Sequence, residues 1–237
     1  MAIMAKNQHV IIGGWAFRSE RLRERLSCDQ SAVVVDVMAL CDRLIVDNRL
    51  DENWAWKAAE SIRAITNPAC GLHIIGWSTG AIMACAAAGH LDVENLTLLS
   101  STLEFCRSEQ NPYGWPRKIV ERMAAKLGDD RQVVLADFYD RCGMDRPQAE
   151  AAAVDIAGIG TATLQNGLRF LMQARVEPSW IKAANPVRIL HGESDRIIDL
   201  RAGGLLASGA GVPLTRFPGG HAFWGEKENA AGVTAAG

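Results

Sequence analysis

The sequence predicts an α/β fold: a mostly parallel sheet of about six strands, helices on both faces, and an inserted all-helical segment. Three observations carry that prediction. Short apolar runs without polar alternation recur along the chain, as strands buried on both faces require. Helix-patterned stretches separate them, which is how parallel neighbours are joined. The alternation then lapses once, between about Thr102 and Ala183, where only helical patterning is found.

In chain order, "HVIIGG" (His9–Gly14) leads into the charged, amphipathic "SERLRERL" (Ser19–Leu26). The second strand, "AVVVDV" (Ala32–Val37), precedes a helix-like stretch from about Glu52 to Ile65. "LHIIGW" (Leu72–Trp77) passes into "GAIMACAAAGHL" (Gly80–Leu91), and "NLTLLSS" (Asn95–Ser101) follows as the fourth strand. The helical segment comprises "PRKIVERMAAKLG", "RQVVLADFYDRCG", "RPQAEAAAVDIAG" and "TLQNGLRFLMQARV". Strands resume with "PVRILHG" (Pro186–Gly192) and "PLTRFPGG" (Pro213–Gly220). Residues 1–101 and 184–237 are therefore expected to form the core. Residues 102–183 are expected to form a helical cap over the C-terminal strand ends, where ligands of open α/β sheets bind. The tail "NAAGVTAAG" (Asn229–Gly237) reads as loosely structured.

A chain of 237 residues is long enough for one large domain with a full core. Its 49% apolar and 22% charged content is that of a soluble globular protein, and a net charge of −2 argues against a dedicated nucleic-acid binder. Cys28, Cys41, Cys70, Cys85, Cys106 and Cys142 form no C-x-x-C pair and do not cluster with histidines. They read as reduced, buried thiols, with no metal site implied. The N-terminus lacks the layout of a signal peptide. Pro68, Gly71, Gly76, Ser78, Thr79 and Gly80 break the charge-free run between Arg63 and Asp92, which excludes a membrane span there. A cytoplasmic monomer without membrane, nucleic-acid or cofactor partners is expected.

The chemistry lies in "GWSTG", at the seam between the third strand and its helix. A sharp strand-to-helix turn presents its central residue above the sheet, provided the residues two before and two after are small. Gly76 and Gly80 satisfy that around Ser78, and the small residues of "GAIMACAAAG" let the helix approach the strand. The Thr79 amide then points where a carbonyl oxygen would become negative, near the positive helix end. A serine nucleophile needs a base, itself oriented by a carboxylate, in the chain order Ser, acid, His. Among five histidines, His9 and His73 lie in strands, His90 ends a helix and His191 ends a strand. His221, in the glycine-flexed loop "FPGGHAFW", is the candidate base. Asp195 in "ILHGESDRIID" is the candidate acid; Asp199 is the alternative unless it caps the next helix, and Glu193 is expected to face solvent. The second oxyanion donor is assigned to the Trp15 amide in "IIGGWAF". The indoles of Trp15 and Trp77 serve either as pocket wall or as packing.

These motifs resemble the α/β-hydrolase superfamily and, within it, the pimeloyl-[acyl-carrier protein] methyl ester esterases of biotin synthesis. "GWSTGA" is similar to that family's elbow; Leu164–Leu200 is similar to its end-of-cap helix with N-G-L, the following strand and the acid loop; "GGHAFW" fits its histidine loop. The likeness runs from His9 to Trp224, with the cap before Leu164 matching only in style. Departures mark a divergent member: no hairpin before the first strand, Gly13 in place of a histidine, "DVMALCDRL" in place of a glycine-rich turn, and a short or absent C-terminal helix. The resemblance implies an α/β-hydrolase fold and cleavage of an ester on an acidic acyl-carrier protein. Arg117, Lys118, Arg122 and Lys126, with Arg131 and Arg141, would form its docking patch; a solvated helix face is the plainer alternative. Phe138, Met144, Phe170 and Leu171 are candidates to line an acyl tunnel, or else core residues. A carboxylesterase, thioesterase or perhydrolase would use the same three residues, and a non-catalytic binding protein of this fold is the remaining class.

Overall fold

The computed structural model describes residues 7–26, 28 and 30–223. The tail Asn229–Gly237, Trp224 and the expected shortened C-terminal helix lie outside the described residues. The chain begins with β1 (Gln8–Ile12), α1 (Ser19–Arg25), β2 (Val33–Val35), α2 (Val37–Leu44), β3 (Ile45–Val46), β4 (Arg49–Leu50) and α3 (Trp54–Arg63). Next come β5 (Leu72–Trp77), α4 (Thr79–His90) and β6 (Val93–Leu99). The helices α5 (Arg117–Asp129), α6 (Arg131–Arg141), α7 (Arg146–Asp155), α8 (Thr161–Gln173) and α9 (Pro178–Ile181) follow. The described chain closes with β7 (Val187–Gly192), α10 (Leu200–Ala210) and β8 (Leu214–Phe217).

All six expected strands form one parallel sheet in the order β2-β1-β5-β6-β7-β8. The chain first moves outward from β1 to β2, then returns to the other side of β1 and continues outward from β5. That reversal is a topological switch point, and loops leaving β1 and β5 diverge there to open a crevice. The crevice lies between "GGW" and Ser78. Ile74, Leu96, Leu98 and Ile189 are fully buried in the sheet, as strands covered on both faces require.

Helix α4 is buried along its whole length from Thr79 to Ala88. Its alanines and glycine explain this: only short side chains let one helix pack at once against β5, β6, α3 and α9. The helices between β6 and β7 are tied to the loop after β1. The Tyr139 hydroxyl of α6 donates to Ala16 O at 2.9 Å, and Trp15 Nε1 donates to Leu164 O of α8 at 2.8 Å.

Two elements depart from expectation. The second strand stops at Val35, because the Asp36 side chain accepts from Ala39 N (3.0 Å) and starts α2 inside "DVMALCDRL". The β3–β4 hairpin turns through Asp47 and Asn48, both at positive φ (49° and 63°), a mirror-image turn that fits two-residue hairpins. Helix α10 is the helix expected after Asp199, which caps it through Arg201 N, and it forms although its sequence holds Gly203, Gly204 and Gly209.

Glycine positions give a direct stability test. A Cβ on Gly80 would stand 2.2 Å from the carbonyl oxygens of Ile12 and Gly13, backbone that cannot give way. Gly80→Ala should cost about 3 kcal/mol. Gly204, within α10, has nothing within 4 Å of its would-be Cβ, so Gly204→Ala should add roughly 0.5–1 kcal/mol. Urea denaturation of both variants checks the opposite signs.

Candidate functional site

Ser78 occupies the bend between β5 and α4 with φ 56° and ψ −121°, a conformation rarely held by a residue bearing a side chain. It is held from both sides. Ser78 N donates to Leu99 O at 2.9 Å, prolonging the β5–β6 ladder, and Ser78 O accepts from Ala81 N at 3.0 Å. The bend is tight because a Cβ on Gly76 would be 2.6 Å from Ala81 Cα. Across the crevice, a Cβ on Gly14 would be 3.2 Å from Ser78 Cβ, so only glycine brings that backbone alongside the serine. Gly13 has a different role: its N–H donates to Ser19 Oγ (2.8 Å), and that hydroxyl donates to Val35 O (2.6 Å).

His221 is fully buried, and its Nε2 lies 2.9 Å from Ser78 Oγ. Its Nδ1 lies 2.8 Å from Asp195 Oδ2, so the hydroxyl, imidazole and carboxylate form one hydrogen-bonded chain. The loop carrying His221 is held at both edges: Trp77 Nε1 donates to His221 O (2.9 Å), and Ala222 N donates to Cys142 O (2.9 Å). Gly192 allows the loop to pass; a Cβ there would be 2.3 Å from Gly220 O.

The Asp195 side chain is fully buried. Its Oδ1 accepts from Ile197 N and Ile198 N, both at 2.8 Å, and its Oδ2 faces His221 and His191. Burial alone would push the carboxyl up; the two imidazoles outweigh it and hold Asp195 well below the usual carboxylate range. Asp199 instead caps α10 and pairs with Arg201 at 2.7 Å, and Glu193 is exposed.

A cavity of about 430 Å³ opens at Ser78. Trp15, Phe138, Leu168 and Leu171 line it, as do Trp115, Met123 and Ile197, which the sequence reading did not single out. Trp115 sits in the loop "NPYGWP", an aromatic among turn residues with no strand or helix face to bury, and that is the signal that could have found it. Its indole donates to Ile197 O at 2.6 Å, tying the cavity wall to the Asp195 loop. One candidate pocket-wall residue and two tunnel candidates lie elsewhere. Trp77 is 1% exposed and lies against the His221 and Phe17 rings as a brace, not a wall. Phe170 is fully buried against Trp54, and Met144 lines a separate small recess beside Phe17. Helical geometry turns Phe170 about 160° from Leu168 and about 100° from Leu171, onto a different face of α8.

The proposed basic patch divides. Arg122, Lys126 and Arg141 reach the cavity rim with Asp137, which pairs with Arg141 at 2.9 Å. Arg117 donates to Met172 O (2.6 Å) away from the cavity, and Lys118 is exposed. Arg131 bonds the carbonyls of Ile156 and Ile159, a structural role.

All six cysteines are free, and burial pushes the Cys41, Cys85 and Cys142 thiols up. No helix among the described residues is long and apolar enough to cross a membrane.

A buried serine–histidine–aspartate chain at the switch point of a parallel sheet defines the class of protein: an α/β fold with a strand-to-helix elbow. The chain belongs to the alpha/beta hydrolase family, whose model matches residues 10–236. Solved structures of like fold include an esterase (EaEST) from Exiguobacterium antarcticum, at TM-score 0.75 and 14% identity, covering 98% of this chain and 94% of that one. BioG from Haemophilus influenzae aligns at TM-score 0.63 and 13% identity, covering 94% and 92%. MenH from S. aureus aligns at TM-score 0.65 and 14% identity, covering 93% and 87%. Comparison with curated proteins gives no match.

The Asp195 environment predicts acid sensitivity. A carboxylate lowered on folding contributes stability that is complete above about pH 4 and is lost as pH falls toward its folded value. Denaturant titrations between about pH 6 and pH 3 should show the wild type losing more stability than Asp195→Asn. Parallel losses in the two proteins would contradict the assignment.

Proposed function

We propose that the protein is a serine hydrolase that cleaves a carboxylic ester through an acyl-enzyme. The observation that carries this reading is the unbroken chain from Ser78 Oγ to His221 Nε2 (2.9 Å) and from His221 Nδ1 to Asp195 Oδ2 (2.8 Å). Ser78 Oγ attacks the ester carbonyl while His221 Nε2 takes its proton. Asp195 accepts from Nδ1–H and stabilises the imidazolium. The amides of Trp15 and Thr79 hold the oxyanion, a role supported by the close passage of Gly14 past Ser78 and by the place of Thr79 as the first residue of α4. The tetrahedral adduct expels the alcohol, which takes the proton from His221. Water, deprotonated by the same imidazole, then releases the acid.

The cavity favours an apolar acyl group, since its walls are mainly Trp, Phe, Leu, Ile and Met side chains. We assign the substrate as the methyl ester of pimeloyl-acyl-carrier protein, cleaved to the free acid and methanol. Support comes from the elbow, end-of-cap and histidine-loop resemblance, together with a fold shared with esterases and with BioG. Arg122 and Lys126 at the rim, with exposed Lys118 earlier on α5, would meet an acidic carrier, whereas Arg117 is committed to Met172 O.

Ser78→Ala should fold normally, lose labelling by a fluorophosphonate, and lose ester turnover by roughly 10⁶-fold. Labelling that survives in the variant would remove Ser78 as nucleophile. A wild type that neither labels nor turns over any ester would leave the non-catalytic alternative.

Arg122→Glu with Lys126→Glu should raise KM for a carrier-bound methyl ester by roughly tenfold or more, with p-nitrophenyl acetate turnover little changed. Growth without biotin of a strain lacking its own methyl esterase, when supplied with this chain, tests the substrate directly. Good turnover of methyl, thio- or p-nitrophenyl esters without such growth would restrict the activity to a general esterase or thioesterase.

A further inference from the structure

Asp195 Oδ2 faces two imidazoles, and the hydrolytic scheme uses only one of them. His191 ends β7 with its side chain fully buried, and its Nε2 lies 2.9 Å from Ile198 O and 3.3 Å from Asp195 Oδ2. Both neighbours are acceptors: a carbonyl oxygen and an ionised carboxylate. The tautomer is thereby fixed, with the hydrogen on Nε2 given to Ile198 O and its positive end beside Asp195 Oδ2. The other ring nitrogen, Nδ1, is buried without a hydrogen-bond partner among the described residues. It faces Gly203 of α10, where a Cβ would stand only 2.4 Å from Nδ1 and 3.0 Å from Cε1 and Cγ. A side chain at residue 203 would therefore drive the ring toward Asp195.

We propose that His191 is a positioning residue that sets the rotation of the Asp195 carboxylate and, through it, the tautomer and aim of His221. The carboxylate rotates about χ2, and its two oxygens have different tasks. Oδ1 is fixed by Ile197 N and Ile198 N (both 2.8 Å). Oδ2 receives His221 Nδ1–H from one side and has His191 Nε2 3.3 Å away on the other. With the His191 ring removed, buried Oδ2 keeps only the His221 hydrogen bond and loses the imidazole N–H on its other side. The carboxylate can then turn to share Oδ1 donors, and the His221 contact lengthens. A residue that only filled space would leave that contact unchanged.

The proposal rests on reading Ser78, His221 and Asp195 as a hydrolytic site, but part of its test does not. In the full-length protein, ¹⁵N-imidazole spectra should show His191 protonated on Nε2 and a low-field proton from His221 Nδ1–H. His191→Leu should shift or broaden that proton. It should lower kcat on a p-nitrophenyl ester by roughly tenfold to a hundredfold with KM little changed, as loss of one charge-assisted contact implies. His191→Gln, which restores a donor near the same place, should recover most of both readouts. Gly203→Ala, reaching the ring from behind, should move the same proton and keeps the test open if the leucine variant does not fold. His191 protonated on Nδ1, or a His221 signal unmoved by the His191 and Gly203 substitutions, would overturn the proposal. A wild type that turns over no ester would overturn the hydrolytic reading alone, with the spectra still deciding the role of His191.

Discussion

The conformation of Ser78 is the constraint on which the site depends. A residue with a side chain at φ 56° and ψ −121° costs roughly 1–3 kcal/mol, and it persists only where its surroundings over-determine it. Here the surroundings are β5 and α4, central elements of the core. The backbone N–H of Ser78 is committed to Leu99 O and its carbonyl to the first turn of α4, so relaxing the bend would break the sheet on one side or the helix on the other. The all-small sequence of α4 follows from the same constraint. The helix must come within backbone contact of Ile12 and Gly13 at Gly80, and larger side chains would hold it away.

The partners of Ser78 come from remote loops, and three tryptophans fix those loops to the scaffold in one chemical manner. Trp15 Nε1 donates to Leu164 O, Trp77 Nε1 to His221 O, and Trp115 Nε1 to Ile197 O. Each indole buries a large apolar area and ends in a single donor, so it satisfies a backbone carbonyl while excluding water. The loop after β1, the histidine loop and the acid loop are thus each held by one indole. Loops are ordinarily the mobile parts of a fold, and a proton path needs heavy atoms held near 2.9 Å.

Much of this was legible in the sequence, for identifiable reasons. The strands were readable because parallel strands buried on both faces leave continuous apolar runs. Ser78, Asp195 and His221 were readable because chain order and glycine placement restrict which residues can meet above such a sheet. The hairpin at Asp47–Asn48 was not, since its dipeptide lacks the glycine that usually marks positive φ. Of helix α10 the sequence marked the Asp199 cap, while its glycines lower helix propensity and obscure its length; one of them is needed to seat His191. His191 itself reads as a strand residue, because its sequence position says nothing of a carboxylate four residues later folding back over it. Phe170 and Leu171 are adjacent in sequence and equally apolar, yet one faces Trp54 and the other the cavity. Only the rotation of α8 separates them.

That rotation is itself coupled to the reacting centre. Gly167 lies against the Trp15 indole, where a Cβ would be 2.4 Å from the ring, and Leu164 on the same helix accepts its N–H. Leu168 and Leu171, next on that helix, form the cavity wall. One residue, Trp15, therefore carries the proposed oxyanion amide on its backbone and a cavity surface on its side chain. Any substitution that shifts α8 to admit a different acyl group moves the Trp15 ring, and through it the backbone of the loop that faces Ser78. The wall proposed to hold the acyl chain and the loop proposed to stabilise its transition state are one packed unit, so changes in the two cannot be independent.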